Sequence, residues 1–529
     1  MNKTMANLIC ACAVAATATV VLYRNVYEAS NLDIVPDSVE YAVGASHLAG
    51  TGKYYITVDG RQLPPRYSPW FSAMLAPAYG LLGCENPGNG IFVVTLLAIA
   101  GVLAAYAIGF KLSGPAGGFA SAAIILLLPD YLYFGRLIMT DVPACTIGLL
   151  AFLLFVNMTP EDRLIRGQLL LAGVLIAAGA ALRPAMAALV LPFLITAWRT
   201  GSQHKDRFTA SMILVVPLAA ILILTSIYNM RTFGSAFRNG YNFWGPVPYD
   251  YFSLTFSFAY LGTNMKALFH AKLPQLFIVL ILLAAVLRTS SAPAAYMKAF
   301  VGRSTLFILL AAIPLIGFHV FYFYPDTRFF LPITCLVASI CGGLIGMFLS
   351  RTAPAAATAV SLAFLIVAGA IGLTGGHTIP YRRMTVDAIR QQTPADAVIV
   401  SSIDPAYLEF MLPGVPGRTV VPLNRSVEYA SKLIAARRLP VLTTTPAGPQ
   451  DHRCEALLKA GGEEAVRKVF MELIGPEAAW PFGNRRVFID VASLAVLGEG
   501  DVTMLRQHFT ASPVSDTLVE ITPRAADGR

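Results

Sequence analysis

Two carboxylates, Asp37 and Glu40, stand one helical turn apart in Pro36-Asp37-Ser38-Val39-Glu40-Tyr41, and an arginine follows in Pro64-Pro65-Arg66-Tyr67-Ser68-Pro69. A positioned carboxylate can take the proton of a hydroxyl or amine as that group attacks, most effectively where partial desolvation raises its pKa. A guanidinium can hold an anion through paired hydrogen bonds. A second carboxylate, Asp141, lies in Gly135-Arg136-Leu137-Ile138-Met139-Thr140-Asp141-Val142-Pro143, with Arg136 as its ion-pair partner or as another anion contact. Two more arginines interrupt apolar runs: Arg183 before Pro184, and Arg328 in Tyr324-Pro325-Asp326-Thr327-Arg328-Phe329, where Asp326 can neutralise it.

Each of these residues has a plainer structural reading. Asp37 would cap a helix over 38–49, with Tyr41, Ala45 and Leu48 at helical spacing. Glu40 would solvate the face of that helix. Arg66 would snorkel to the headgroups, while its prolines fix a turn. Asp141 before Pro143 would be N-terminal punctuation, and Asp33 is an alternative base. In the segment from Tyr228 to Tyr241, rich in aromatics and glycine, Tyr241 and the later Trp244 would either join an interfacial aromatic belt or line a pocket.

The elements that must position these groups are set by composition. Of 529 residues, 56% are hydrophobic and only 13% charged, about half the charge of a soluble domain. The net charge of +9 is spread over short loops without a basic stripe, which excludes a nucleic-acid partner. Segments long and apolar enough to span a bilayer occur near 5–23, 90–110, 116–134, 142–157, 168–182, 184–198, 208–228, 273–288, 304–322, 329–350 and 355–374. The first is read as an uncleaved helix, since its apolar run is long for a signal peptide. Short loops with Lys111, Arg163, Arg166, Arg199, Lys205, Arg207, Arg288, Lys298, Arg303 and Arg351 alternate with longer aromatic ones. The basic set is cytoplasmic by the positive-inside rule. Residues 24–89 then form a first outer loop, with Trp70–Leu82 lying at the interface.

The expected organisation is a membrane domain over 1–376, with about eleven transmembrane helices, and a small soluble α/β domain over 377–529. In the latter, strands are expected at 397–401, 418–422, 439–443 and 486–490, and helices at 382–392, 428–437 and 463–473. Seven cysteines show no metal-ligand spacing. No internal repeat is visible, which argues against a transporter built on inverted repeats.

The order D-x-x-x-Y (Asp37, Tyr41), P-P-R-Y (Arg66, Tyr67), T-D-x-P (Asp141), R-P (Arg183) and R-F-x-x-P (Arg328), each at an outer helix end, resembles the GT-C superfamily of membrane glycosyltransferases. The protein O-mannosyltransferases and lipid A aminoarabinose transferases are the nearest in pattern. That resemblance implies an inverting transfer of a sugar from a polyprenyl-phosphate donor to an extracytoplasmic lipid, glycan or protein, at the cell's inner (plasma) membrane. Asp37 would be the catalytic base and Asp141 the second catalytic carboxylate. Tyr41, Arg66, Tyr67, Arg136, Arg183, Arg328 and Tyr241 would bind substrate. No cofactor is called for outright, although Asp141 could help bind a divalent cation. The chain departs from the family in having Asp37-Ser38 where many relatives carry an Asp-Glu pair. Two other functions fit the bulk properties. A polysaccharide polymerase or ligase would place its polar residues in one large later loop, and a lipid-linked sugar transporter would place charges at the bilayer midplane, where only Asp130 and His319 approach.

Overall fold

The computed structural model describes residues 3–27, 36–58, 61–158, 166–200, 204–244, 249, 252–288, 295–351, 353–374, 381–401, 403, 408, 419–422, 484–494, 503, 506–507 and 509–523. It divides into two compact units. One holds residues 1–29, 91–228 and 256–376; the other holds 30–90, 229–255 and 377–529. The second unit thus groups residues 30–90 and 229–255 with the region that follows residue 376.

The first unit is helical, and each of the eleven apolar segments lies mostly on helical backbone. By length and composition, five described helices are apolar enough to cross a membrane, or six if the bent pair Phe258–His270 and Leu273–Leu282 is one span. The chain is thus a multi-pass membrane protein. Four further apolar helices are shorter, among them Asp141–Asn157 and Arg166–Leu182.

The long stretch Ile91–Leu127 breaks at Ser113-Gly114, where Gly114 takes φ 68°, a left-handed conformation that only glycine adopts readily. Pro115 follows and starts the next helix. The two halves fold back so closely that a Cβ on Gly109 would meet the carbonyl oxygen of Gly117 at 2.2 Å. The helix Leu331–Leu349 packs on both through small residues, as membrane helices do where no hydrophobic force pulls them together. Ser121 donates to the Ser339 carbonyl at 2.6 Å, and Ser113 to that of Gly343 at 2.8 Å. The segment expected as one span over 116–134 ends instead at Leu127. Pro129 disfavours helical backbone at Leu128, and a separate short helix runs Pro129–Phe134.

The second unit is built on a sheet. Strands β1 (Ile56–Val58) and β2 (Arg61–Leu63) form an antiparallel hairpin in the first loop. The larger sheet has the order β4-β3-β5-β7-β6, with β3 Val398–Ser401, β4 Thr419–Pro422, β5 Val487–Asp490, β6 Phe509–Ser515 and β7 Leu518–Pro523. Strand β3 pairs parallel with β4 and β5, while β7 runs antiparallel to β5 and β6. Strands β3 and β5 are buried along their whole length, as parallel strands covered on both faces must be.

The core of this unit is shared between distant parts of the chain. Val39 and Val43 of the helix Pro36–Thr51, Ile56 of β1 and Trp244 pack with Val386 and Ile389 of the helix Tyr381–Gln392, and with Ile399, Phe488 and Leu518 of the sheet. The helix expected over 382–392 and three of the four expected strands are present, each within a residue of its predicted bounds. The strand expected at 439–443 and the helices at 428–437 and 463–473 lie outside the described residues, as does Asp33.

Candidate active site

In the sheet-containing unit the site is laid out along the helix Pro36–Thr51. Proline at the first helical position needs no N–H partner and fixes the entry. Asp37 accordingly lies inside the first turn, not at the cap position expected from a helix starting at Ser38. There its negative charge is favoured by the helix dipole. Asp37 is half-buried.

Glu40 does not solvate a helix face. It is 0% exposed, and its carboxylate accepts the backbone N–H of Arg66 at 2.7 Å and the guanidinium at 2.9 Å. Arg66 is itself only 3% exposed, so it does not snorkel. A buried arginine needs this partner, because an unpaired charge there would be costly. Its guanidinium also lies 5.3 Å from the Tyr67 ring centroid.

Aromatic rings close the other side. Tyr41 stacks on Tyr67 with centroids 4.4 Å apart and meets Phe71 edge-on at 4.9 Å. Tyr67 meets Tyr241 edge-on at 5.6 Å, and Tyr241 lies 4.8 Å from Tyr249. Burial pushes the Tyr67 phenol well above its ordinary pKa, against the pull of Arg66, and the charge of Asp37 pushes it further. Tyr67 is therefore a neutral hydrogen-bond donor at physiological pH, close enough to Asp37 to feel its charge. Trp244, read as either a member of an interfacial aromatic belt or a pocket-lining residue, is 1% exposed and donates its indole N–H to the Pro64 carbonyl at 2.9 Å.

The helical unit holds the second group. Asp141 opens the helix Asp141–Asn157, is fully buried, and pairs with Arg183 at 2.8 Å. Arg136, read as either the ion-pair partner of Asp141 or another anion contact, is half-buried in the preceding turn. Arg183 ends the helix Arg166–Leu182 and adopts extended backbone before Pro184, which aims it sideways. It donates to the Arg328 carbonyl at 3.2 Å. Arg328 pairs with Asp326 at 3.0 Å, and Asp326 also accepts the Arg328 backbone N–H at 3.1 Å. Burial raises the Asp326 pKa, and the Arg328 charge opposes it.

Both guanidiniums lie 5.4 Å from the Phe329 ring, on which His319 stacks at 4.5 Å. Asp130 bonds the Thr327 side chain. The sequence reading missed Phe329 and His319 as organisers of the arginines. Their signal was faint: one histidine and one phenylalanine in an aromatic run.

Of the expected residues, the structure brings Asp37, Tyr41, Arg66, Tyr67 and Tyr241 together in one unit, and Asp141, Arg183 and Arg328 in the other. Among the described residues no group of three or more His, Cys, Asp or Glu side chains is disposed to hold a metal ion, and Asp141 is already neutralised by Arg183.

No family model matches the sequence, and no curated protein does. Solved structures do. ArnT from Cupriavidus metallidurans bound to undecaprenyl phosphate aligns with a TM-score of 0.56 at 10% identity, over 97% of this chain and 98% of that one. Its apo state gives 0.52 at 10% identity, over 96% and 97%. The Archaeoglobus fulgidus oligosaccharyltransferase in its apo form gives 0.50 at 12% identity, over 99% of this chain and 75% of that one. At such identities the likeness is one of fold. This chain shares the fold of these structures over nearly its whole length.

Proposed function

We propose that this protein is an inverting glycosyltransferase of the inner (plasma) membrane. It moves a sugar from a polyprenyl-phosphate donor to an extracytoplasmic lipid, glycan or protein, through a bundle of eleven spans. The observation that carries this reading is the division of labour between two carboxylates on one helical turn. Glu40 is buried against Arg66, whereas half-buried Asp37 lies near enough to Tyr67 for its charge to act on that phenol. ArnT has been crystallised with undecaprenyl phosphate, which supports the class of donor.

In the proposed reaction the acceptor's O–H or N–H attacks the anomeric carbon, and its proton passes to the Asp37 carboxylate. The bond from the anomeric carbon to the phosphate oxygen breaks, its electron pair stays on the lipid phosphate, and the configuration inverts. The growing charge on the phosphate is of the kind a guanidinium stabilises, the role that the motif resemblance implies for Arg136, Arg183 and Arg328. Arg66, already engaged by Glu40, instead fixes the turn that presents Tyr67. Tyr41 and Tyr241 frame the Tyr67 ring, and Asp141 holds Arg183 in place.

The test is donor consumption by purified protein supplied with polyprenyl-phosphate sugars. Wild-type protein should turn one over. Asp37→Asn should lower the rate by about 10²–10⁴-fold, the usual worth of a general base, with little change in thermal stability. Wild-type turnover by a folded Asp37→Asn protein would remove Asp37 as the base.

A further inference from the structure

The loop that follows the helix His204–Phe233 returns as a short helix, Gly240–Trp244. It rests on the same turn that Glu40 grips. Gly240 is buried, and a Cβ there would lie 2.3 Å from the Arg66 carbonyl oxygen, 2.4 Å from its Cα and 2.5 Å from its carbonyl carbon. These are backbone atoms, which cannot swing aside as a flexible side chain can. Four residues on, the Trp244 indole bonds the Pro64 carbonyl at 2.9 Å. Its ring lies in the core beside Val39 and Val43, from the helix that carries Asp37. Between the two, Tyr241 sets its ring edge-on to Tyr67.

The turn from Pro64 to Tyr67 is thus fastened on two sides. Glu40 holds the Arg66 N–H and guanidinium. The Gly240–Trp244 segment holds the Pro64 carbonyl and lies flush on the Arg66 backbone. We propose that this segment is a positioning element for sugar transfer. Gly240 and Trp244 set where Tyr67 stands relative to Asp37, and neither touches substrate. The inference rests on the reading of Asp37 as the base. Physically, Tyr67 is held through its own backbone, so a displaced turn moves its ring. An error of about 1 Å in a catalytic arrangement can cost about 10²-fold in rate.

The experiment uses full-length protein carrying Gly240→Ala or Trp244→Phe, the latter keeping an aromatic ring but losing the N–H donor. Gly262→Ala, at an open position, is the control. Two quantities are read: hydrogen exchange of peptides covering 61–70 and 36–46, and kcat and KM for a polyprenyl-phosphate sugar. Gly240→Ala should speed exchange over 61–70 and lower kcat by about 10–100-fold, leaving donor KM within about threefold. Trp244→Phe should change both in the same direction by less, and it decides the matter if Gly240→Ala does not fold.

Unchanged exchange over 61–70, or faster exchange with wild-type kcat, overturns the proposal. So does an unchanged kcat with a raised KM, which would mark a binding role. If the wild-type protein turns over no polyprenyl-phosphate sugar, the functional reading fails by itself. The exchange measurement then still decides whether the segment holds the turn.

Discussion

Glu40 holds Arg66 twice, through the backbone N–H at 2.7 Å and through the guanidinium at 2.9 Å. With the pair almost wholly buried, neither charge has water to fall back on. Breaking such a pair from one side typically costs about 3–5 kcal/mol, while replacing both partners by apolar groups is often neutral. Glu40→Ala should therefore lower the thermal unfolding midpoint sharply. The double variant Glu40→Leu/Arg66→Met should recover much of the loss, measured by thermal denaturation in detergent. Additive losses would show that the two residues act independently.

The pair of Asp141 and Arg183 makes a parallel case in the helical unit, with one difference. Arg183 is also bonded to the Arg328 carbonyl, so Arg183→Ala loosens the late motif as well as stranding the buried carboxylate. Arg183→Ala should therefore destabilise more than Asp141→Asn, which keeps the side chain's shape and removes only its charge. Thermal midpoints of the two variants, measured side by side, check the order.

His47 gives the sheet-containing unit a pH response. Its ring stacks on Tyr55 at 4.0 Å, and Nδ1 donates to the Tyr55 carbonyl at 2.8 Å. Burial nevertheless lowers its pKa from 6.5, outweighing the backbone bond that raises it. A depressed folded-state value means that the unfolded chain binds the proton first as pH falls. The contribution of His47 is thus complete above its unfolded pKa and is lost as pH drops through the lower folded one. The thermal midpoint should fall between pH 7 and 5, and His47→Phe should flatten that slope. An identical slope in the variant would clear His47 of the effect.

A shared core cannot be divided by a bilayer. Val39 and Ile399 pack in one cluster, so the first loop and the C-terminal sheet must face the same compartment. Single cysteines at exposed Lys53 and Ser512, in an otherwise cysteine-free chain, should both react with an impermeant maleimide in intact cells. Reaction at only one of them would contradict the core itself.

The membrane helices were legible because about 20 apolar residues leave a chain few alternatives. The arginines and aspartates were legible because a charge in such a run needs a reason. Partners were harder to read. Arg136 is near Asp141 in sequence, but Arg183 arrives from another helix, a matter of packing that spacing does not encode. Glu40 looked like a surface carboxylate because its burial depends on Arg66, in a turn beyond the end of its own helix. Strands β6 and β7 went unread: β6 is mostly exposed, is interrupted by Pro513 and shifts register there, so no apolar alternation marks it. The β1–β2 hairpin had a signal, the Asp59-Gly60 pair between Val58 and Arg61, that was passed over.

The core that joins Val39 and Val43 to Ile399, Phe488 and Leu518 has a consequence for biosynthesis. The helix bearing Asp37 is translated before the strands that cover its apolar side, which come hundreds of residues later. Contacts so distant in sequence form late, since the intervening chain must first be closed into a loop. Throughout that interval the valines have no native cover, so the nascent first loop is a natural client for a holding chaperone. The Asp37 helix gains its native support only once β3, β5 and β7 have been made, which delays activity until those strands have emerged.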